Sequence, residues 1–195
     1  MSAVPSPSPA RARILDTGFR LFYAHGIRSV GVDRIIAESG VAKATFYHHF
    51  PTKEELVLAY LDEVDTVWTG QLHAAAASAG ESPAEQLVGM FDALTTACRR
   101  SGYRGCAFIN AAGEYEVGTP VHARTLAHKD AVRAWVRELA VRAGAADPDA
   151  LARSLTLLLD GGLASGSVDG SPDATVVAQE AARVLVATAV TGDRV

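Results

Sequence analysis

Cysteine is nearly absent from this 195-residue chain, which holds only Cys98 and Cys106. Two cysteines make no disulfide framework and fit a reducing compartment. No run of about 18 apolar residues occurs, so no membrane-spanning helix is expected. The opening MSAVPSPSPA has neither a basic n-region nor an apolar h-region, and is not expected to be a secretory signal. Three of the eight prolines fall in the first nine residues, which predicts an extended, poorly ordered arm over 1–9. Period-2 alternation is too short for a sheet, and no repeat of solenoid length appears. The common catalytic motifs are missing too. There is no HExxH, CxxC or GxxxxGK, and no GxSxG with the right spacing. Net charge is only −4, so the chain as a whole is no basic coat for nucleic acid.

Apolar residues make up 49% and charged residues 21%, a globular composition with enough chain for a sizeable core. Charge is unevenly distributed. Residues 10–60 carry seven Lys/Arg against five Asp/Glu, while the remainder carries eleven against seventeen. Three of the six histidines also lie in that basic segment.

The periodicity is helical almost throughout. Ile14, Leu15, Phe19 and Phe22 define a first helix that His25-Gly26 ends. A short helix is expected over about 33–39, stopped by Gly40, and another over about 44–50, broken by Pro51. Thr52 with Glu55 reads as a capping box for a long helix to about Ala77. Ser82-Pro83 starts a helix running to about Arg100, and Phe108–Tyr115 forms a shorter one. A helix ending near Ala143 carries Val132, Trp135, Val136 and Leu139 on one face. Asp147-Pro148 and Ser171-Pro172 open the last two. The total is about nine helices and an all-α fold.

GVAKATFYHHFPTKEEL, residues 40–56, concentrates hydroxyls, imidazoles and lysines. A catalytic or metal cluster is one reading, but adjacent His48 and His49 point about 100° apart on a helix and do not chelate one ion easily. The other reading is a contact surface. Two short helices joined by a Gly-containing turn are the helix-turn-helix pattern. Ile35, Ile36, Val41, Phe46 and Phe50 would form its inner side. In such motifs the start of the second helix meets base edges in the major groove. Lys43, Ala44 and Thr45 sit there, with Tyr47, His48 and Lys53 suited to phosphates.

The residues ILDTGFRLFYAHGIRSVGVDRIIAESGVAKATFYHHFPTKEEL closely resemble the DNA-binding domain of the TetR family of bacterial transcriptional regulators. The match covers about fifty contiguous residues. It includes the aromatic-His-Gly end of the first helix, the Val-Asp-x-Ile-Ile-Ala-x-x-Gly second helix and the Thr-Phe-Tyr-x-x-Phe third helix. RGCAFINAAGEY and LLLDGG look like one subgroup of the family's ligand domains. Two positions depart from the pattern. Ala42 stands where Ser often caps the recognition helix, and Ala44 where Gly is frequent.

The resemblance implies a helix-turn-helix domain over 10–55 and a helical effector-binding and dimerisation domain over 56–195. It implies a cytoplasmic homodimeric regulator, most readily a repressor released from palindromic operator DNA by a small effector. Arg28, Lys43, Ala44, Thr45, Tyr47, His48 and Lys53 would contact DNA. A stripe of Leu151, Leu155 and Leu158, glycines Gly162 and Gly166, and Val177, Val184 and Leu185 would form the dimer face. Read from the residues alone, those stripes fit packing within one subunit equally well. Aromatic and polar residues from separate helices suggest an effector pocket: Tyr60, Val64, Trp68, Phe91, Leu94, Cys98, Phe108, Asn110, Glu114, Trp135 and Asp160. Each aromatic alone is more often core. No cofactor, metal or enzymatic activity is expected. The competing reading is a helical enzyme or carrier that keeps the helix-turn-helix as scaffold. Cys98 and Cys106 read better as buried structural residues than as a redox pair, with Cys106 as a thiol sensor the rarer alternative.

Overall fold

The structure is a computed structural model that describes residues 8–191. Among these residues there are ten helices and no strand. They are α1 (Pro9–His25), α2 (Val32–Ser39), α3 (Lys43–His49), α4 (Lys53–Ala79), α5 (Pro83–Gly89), α6 (Asp92–Cys98), α7 (Ala107–Glu114), α8 (Pro120–Arg142), α9 (Pro148–Asp169) and α10 (Asp173–Thr191). Nine were expected, and the extra one comes from an interruption at Met90-Phe91. There the backbone stays right-handed, but Phe91, Ala93 and Leu94 donate to carbonyls three residues back. Helix α1 begins inside the arm expected over 1–9, because Ser8 Oγ accepts from Arg11 N at 3.2 Å and Pro9 opens the first turn. Residues 1–7 lie outside the described residues.

The chain forms two compact units. The first comprises the described residues up to Val64 together with Ala107–Thr125. The second comprises Asp65–Cys106 and the described residues from Leu126. The division falls inside α4 and α8. A helix-turn-helix of some fifty residues buries little surface by itself. Here α7 and the start of α8 add Phe108, Ala111 and Val121, all buried, to that unit.

In the first unit, α1 buries Ile14, Leu21 and Phe22 along one stripe. Gly18 lies in the same stripe, where a Cβ would stand 3.3 Å from the Leu56 side chain, so α1 and α4 meet closely. Tyr60 of α4 is buried edge-on between Phe19 and Phe22, with ring centroids 5.3 and 5.7 Å away. Gly40 ends α2 in the left-handed conformation at φ 65°. Ala42 occupies the N-cap of α3 without a side-chain bond, whereas Thr52 Oγ1 accepts from Glu55 N at 3.1 Å and caps α4.

In the second unit, α5 starts with the full capping box of Ser82 and Glu85. A Cβ at Gly89 would fall 2.0 Å from Ala79 Cβ, so only glycine lets α5 lie against the end of α4. Helix α9 packs most extensively against α10. Leu151 and Leu155 of α9 are buried. A Cβ at Gly162 would press on Leu94 and Ala178, and one at Gly166 on Cys98 Sγ at 2.6 Å. These four residues were expected at a dimer face. All four are instead buried within the subunit, the two glycines against α6 and α10. Leu158 is half-buried, and Val177, Val184 and Leu185 remain exposed.

Two substitutions test this packing by thermal unfolding at fixed protein concentration. Gly89→Ala is expected to cost about 1–3 kcal/mol through overpacking. Gly70→Ala, with nothing within 4 Å of its added Cβ, is expected to gain up to about 1 kcal/mol. Equal shifts for the two would refute the close α4–α5 approach. Ala42→Ser supplies the absent cap, with an expected gain of about 1 kcal/mol, or roughly 2–4 °C in midpoint.

Candidate nucleic-acid interface

Helix α3 has seven residues and two unlike sides. Phe46 is buried, and Phe50, which ends the helix, is buried with it. Their rings lie 6.3 Å apart, and the Arg11 guanidinium sits 5.0 Å above Phe50. Lys43, Ala44, Tyr47 and His48 are exposed and Thr45 is half-buried. Tyr47 packs edge-on against Phe46 at 5.3 Å and remains 42% exposed. His49 Nε2 lies 3.1 Å from Ser8 Oγ and ties the start of α1 to the end of α3. The outer side of α3 thus offers an ammonium, a hydroxyl, a phenol and an imidazole to whatever approaches it.

Positive groups flank this surface. Lys43 Nζ is 3.7 Å from Asp33 Oδ1, and both side chains are largely exposed. Glu38 is held by Arg20 at 2.6 Å and Arg34 at 2.8 Å. Hydrogen bonds from Arg20 and then Arg34 keep its carboxyl below the usual carboxylate range. Arg34 Nη2 also reaches His25 Nε2 at 3.2 Å. Arg28 is exposed on the loop between α1 and α2.

Lys53 departs from the sequence expectation. Its ammonium donates to the Ile27 carbonyl at 2.6 Å and lies 5.9 Å from the Phe22 ring centroid. Burial lowers its pKa, and the nearby Glu114 carboxylate opposes that shift. Lys53 therefore ties α4 to the α1–α2 loop instead of facing outward to a phosphate.

The residues expected at an effector pocket are scattered. Tyr60, Val64, Phe108, Asn110 and Glu114 belong to the first unit. Tyr60 and Phe108 are buried, and Asn110 is exposed. Glu114 accepts from the backbone N–H groups of Ile27 at 2.9 Å and Arg28 at 2.5 Å. In the second unit, Phe91 and Leu94 are fully buried, and Trp135 lies against His73 with ring centroids 4.4 Å apart. Cys98 Sγ donates to the Ser171 carbonyl at 3.5 Å, and burial pushes its thiol up, away from the reactive thiolate. Cys106 is buried, with Lys129 Nζ 3.9 Å from its sulfur.

Trp68 and Asp160 do line a cavity of about 20 Å³ in the second unit. The rest of its wall is His128, Lys129, Val132 and Arg133 of α8 and Thr156, Leu159 and Leu163 of α9. Lys129 is paired with Asp160, and His128 Nδ1 with Asp65 Oδ1 at 2.6 Å. None of these α8 and α9 residues besides Asp160 was singled out for the pocket. Their spacing held the signal, since 128, 129, 132 and 133 share one helical face, as do 156, 159, 160 and 163. Among the described residues, no group of three or more His, Cys, Asp or Glu could hold a metal ion. No described helix is long and apolar enough to cross a membrane.

Residues 14–60 match the sequence pattern of the family described as bacterial regulatory proteins, tetR family. The crystal structure of a TetR-family transcriptional regulator from Streptomyces coelicolor is 38% identical. It superimposes with a TM-score of 0.86 over 93% of this chain and 96% of that one. A putative TetR-type regulator from Streptomyces avermitilis is 27% identical, with a TM-score of 0.77 over 90% and 98% of the two chains. The transcriptional regulator AcuR of Cereibacter sphaeroides is 26% identical over 179 residues, covering 87% of this chain and 81% of its own. With an outward-facing recognition helix on a buried aromatic base and full-length likeness to such regulators, the chain belongs to the TetR family of DNA-binding transcriptional regulators.

Proposed function

We propose that the protein is a homodimeric repressor that holds a partly palindromic operator through two copies of α3 and leaves it when a small effector binds in the second unit. The observation that carries this reading is the two-sided α3, fixed by Phe46 and Phe50 and open along Lys43, Ala44, Thr45, Tyr47 and His48. Lys43, Ala44 and Thr45 take the base edges, with the Ala44 methyl suited to a thymine methyl. Arg28, Tyr47 and His48 hold phosphates. A protein that acts on operator DNA works in the cytoplasm.

Two recognition helices reading half-sites one turn apart require a two-fold partner. Leu157 and Val168 of α9, with Val177 and Val184 of α10, are 64–85% exposed. Leu185 is exposed as well, and so many exposed apolar side chains on α9 and α10 suit an isologous four-helix contact between two copies. The effector site is the cavity between α4, α8 and α9. At about 20 Å³ it has room for little more than a water, so an effector enters by parting its walls. Helix α4 carries Trp68 there and contributes Leu56, Tyr60 and Leu61 to the first unit, which makes it the lever. The effector must favour the DNA-incompetent state, by a coupling of about 1–3 kcal/mol in typical cases.

Operator selection from genomic DNA, followed by anisotropy titrations, tests the DNA reading. Tyr47→Phe is expected to weaken binding to all sequences alike. Thr45→Val is expected to change the preferred base at one position by about 1–3 kcal/mol. Recovery of no specific site would overturn the reading. For the dimer, Val184→Glu is expected to shift sedimentation toward monomer while helical content stays unchanged. A dimer as tight as the wild type would exclude this face.

A further inference from the structure

We propose that Glu114 is a positioning residue for operator binding: its carboxylate fixes the Ile27–Arg28 backbone and so aims the Arg28 guanidinium at a DNA phosphate. The proposal rests on the reading of Arg28 as a phosphate contact.

Glu114 is the last residue of α7. A carboxylate at a helix C-terminus faces the negative end of the dipole, an unfavourable place unless something else holds it there. What holds it is a pair of charge-assisted bonds to consecutive backbone amides. Oε1 takes the Ile27 N–H and Oε2 the Arg28 N–H, from 87 and 86 residues away in sequence. The partner loop is built to receive it. Gly26 ends α1 at φ 87°, and a Cβ there would stand 3.2 Å from Glu114 Oε1. Glycine is therefore favoured by the left-handed turn, and it also leaves the carboxylate its full approach.

The same short loop is held from its other sides. Lys53 of α4 donates to the Ile27 carbonyl at 2.6 Å. Ser29 Oγ donates to the His25 carbonyl at 2.5 Å. Ile27 and Val30 are buried on either side of Arg28. The backbone of an exposed arginine is thus fixed by two charged side chains from two other helices. Such an arginine loses less freedom on meeting a phosphate than one on a loose loop, because the loop is already ordered. Both Glu114 oxygens are engaged with amides, so the carboxylate is turned into the loop and away from an approaching polyanion.

A double-mutant cycle on the full-length protein tests this, with operator affinity read across a salt series. The variants are Arg28→Ala, Glu114→Ala, Glu114→Gln and each Glu114 change combined with Arg28→Ala. Arg28→Ala is expected to reduce the slope of log affinity against log salt by about 0.9 for each phosphate it leaves without a cation. Glu114→Ala is expected to lower both affinity and slope in the same way on the wild-type background, and to change neither once Arg28 is alanine. Glu114→Gln keeps the size of the side chain and should fall between wild type and Glu114→Ala. It carries the cycle alone if the alanine variant loses its helical circular dichroism. Equal losses from Glu114 substitution on both backgrounds would reduce Glu114 to general support of the fold and overturn the proposal. An unchanged slope in Arg28→Ala would instead remove the phosphate contact itself, and the proposal with it.

Discussion

The proposed contact with DNA depends on holding a seven-residue helix in place. A helix that short is unstable in water, because it closes too few hydrogen bonds to offset nucleation. Helix α3 also lacks a side-chain N-cap, since Ala42 has no hydroxyl to offer. Its position therefore comes from burial. Phe46 and Phe50 hold one side, and the tie from His49 to Ser8 holds the far end. Because the anchoring is concentrated on that side, the opposite one is left free for polar groups.

The surroundings of α3 follow from that need. The two aromatic anchors need a core to sink into, and α1, which packs on α3, and α4 bury Leu21, Phe22, Leu56 and Tyr60 in the same unit. Gly18 sharpens the contact by letting the Leu56 side chain come close. Helix α7 completes the unit from much later in the chain and brings Glu114 to the α1–α2 loop. The DNA-binding unit is thus assembled from segments on both sides of the second unit's α5 and α6. Chain connectivity gives α4 and α8 a share in both units. Both helices also supply side chains to the cavity wall.

Local signals in the sequence made the helices legible. Gly26 and Gly40 stop α1 and α2, Thr52 and Ser82 cap α4 and α5, and Asp147 caps α9 through Ala150 N at 2.8 Å. Such devices act within a few residues, so spacing reveals them. The break at Met90-Phe91 left no such mark, because its dihedrals stay helical and only the hydrogen-bond pattern slips. Long-range partners were not legible either. Nothing near Glu114 in sequence announces a bond to Ile27, so an acid beside apolar residues fits an effector contact as well as a bond to backbone. Gly162 and Gly166 were rightly read as points of close approach. Their spacing does not say which neighbour approaches, and in the structure it is α6 and α10 of the same chain. Most of the cavity residues were missed because aromatic and polar types were chosen without following the phase of α8 and α9.

The two lysines of the recognition segment show how environment decides the role of a charge. Lys53 and Lys43 are ten residues apart, and both were expected at the DNA, Lys43 at base edges and Lys53 at a phosphate. The Lys53 ammonium is half-buried, bonded to a carbonyl and set near an aromatic ring, with its pKa lowered by desolvation. Turning it outward would leave the Ile27 carbonyl without that donor, a cost no single phosphate contact clearly offsets. Lys43 has the opposite balance. Its partner Asp33 lies 3.7 Å away with both groups in water, a pairing worth about 0–1 kcal/mol and weakened further by salt. DNA presents a denser negative charge than one exposed carboxylate, so giving up Asp33 on meeting DNA costs Lys43 little. Several acids of the same unit are also engaged. Glu38 is held by Arg20 and Arg34, Asp62 by Arg124 and Glu114 by two amides. Carboxylates tied down in this way oppose a polyanion less than free ones, which favours approach to α3 although the protein as a whole is acidic.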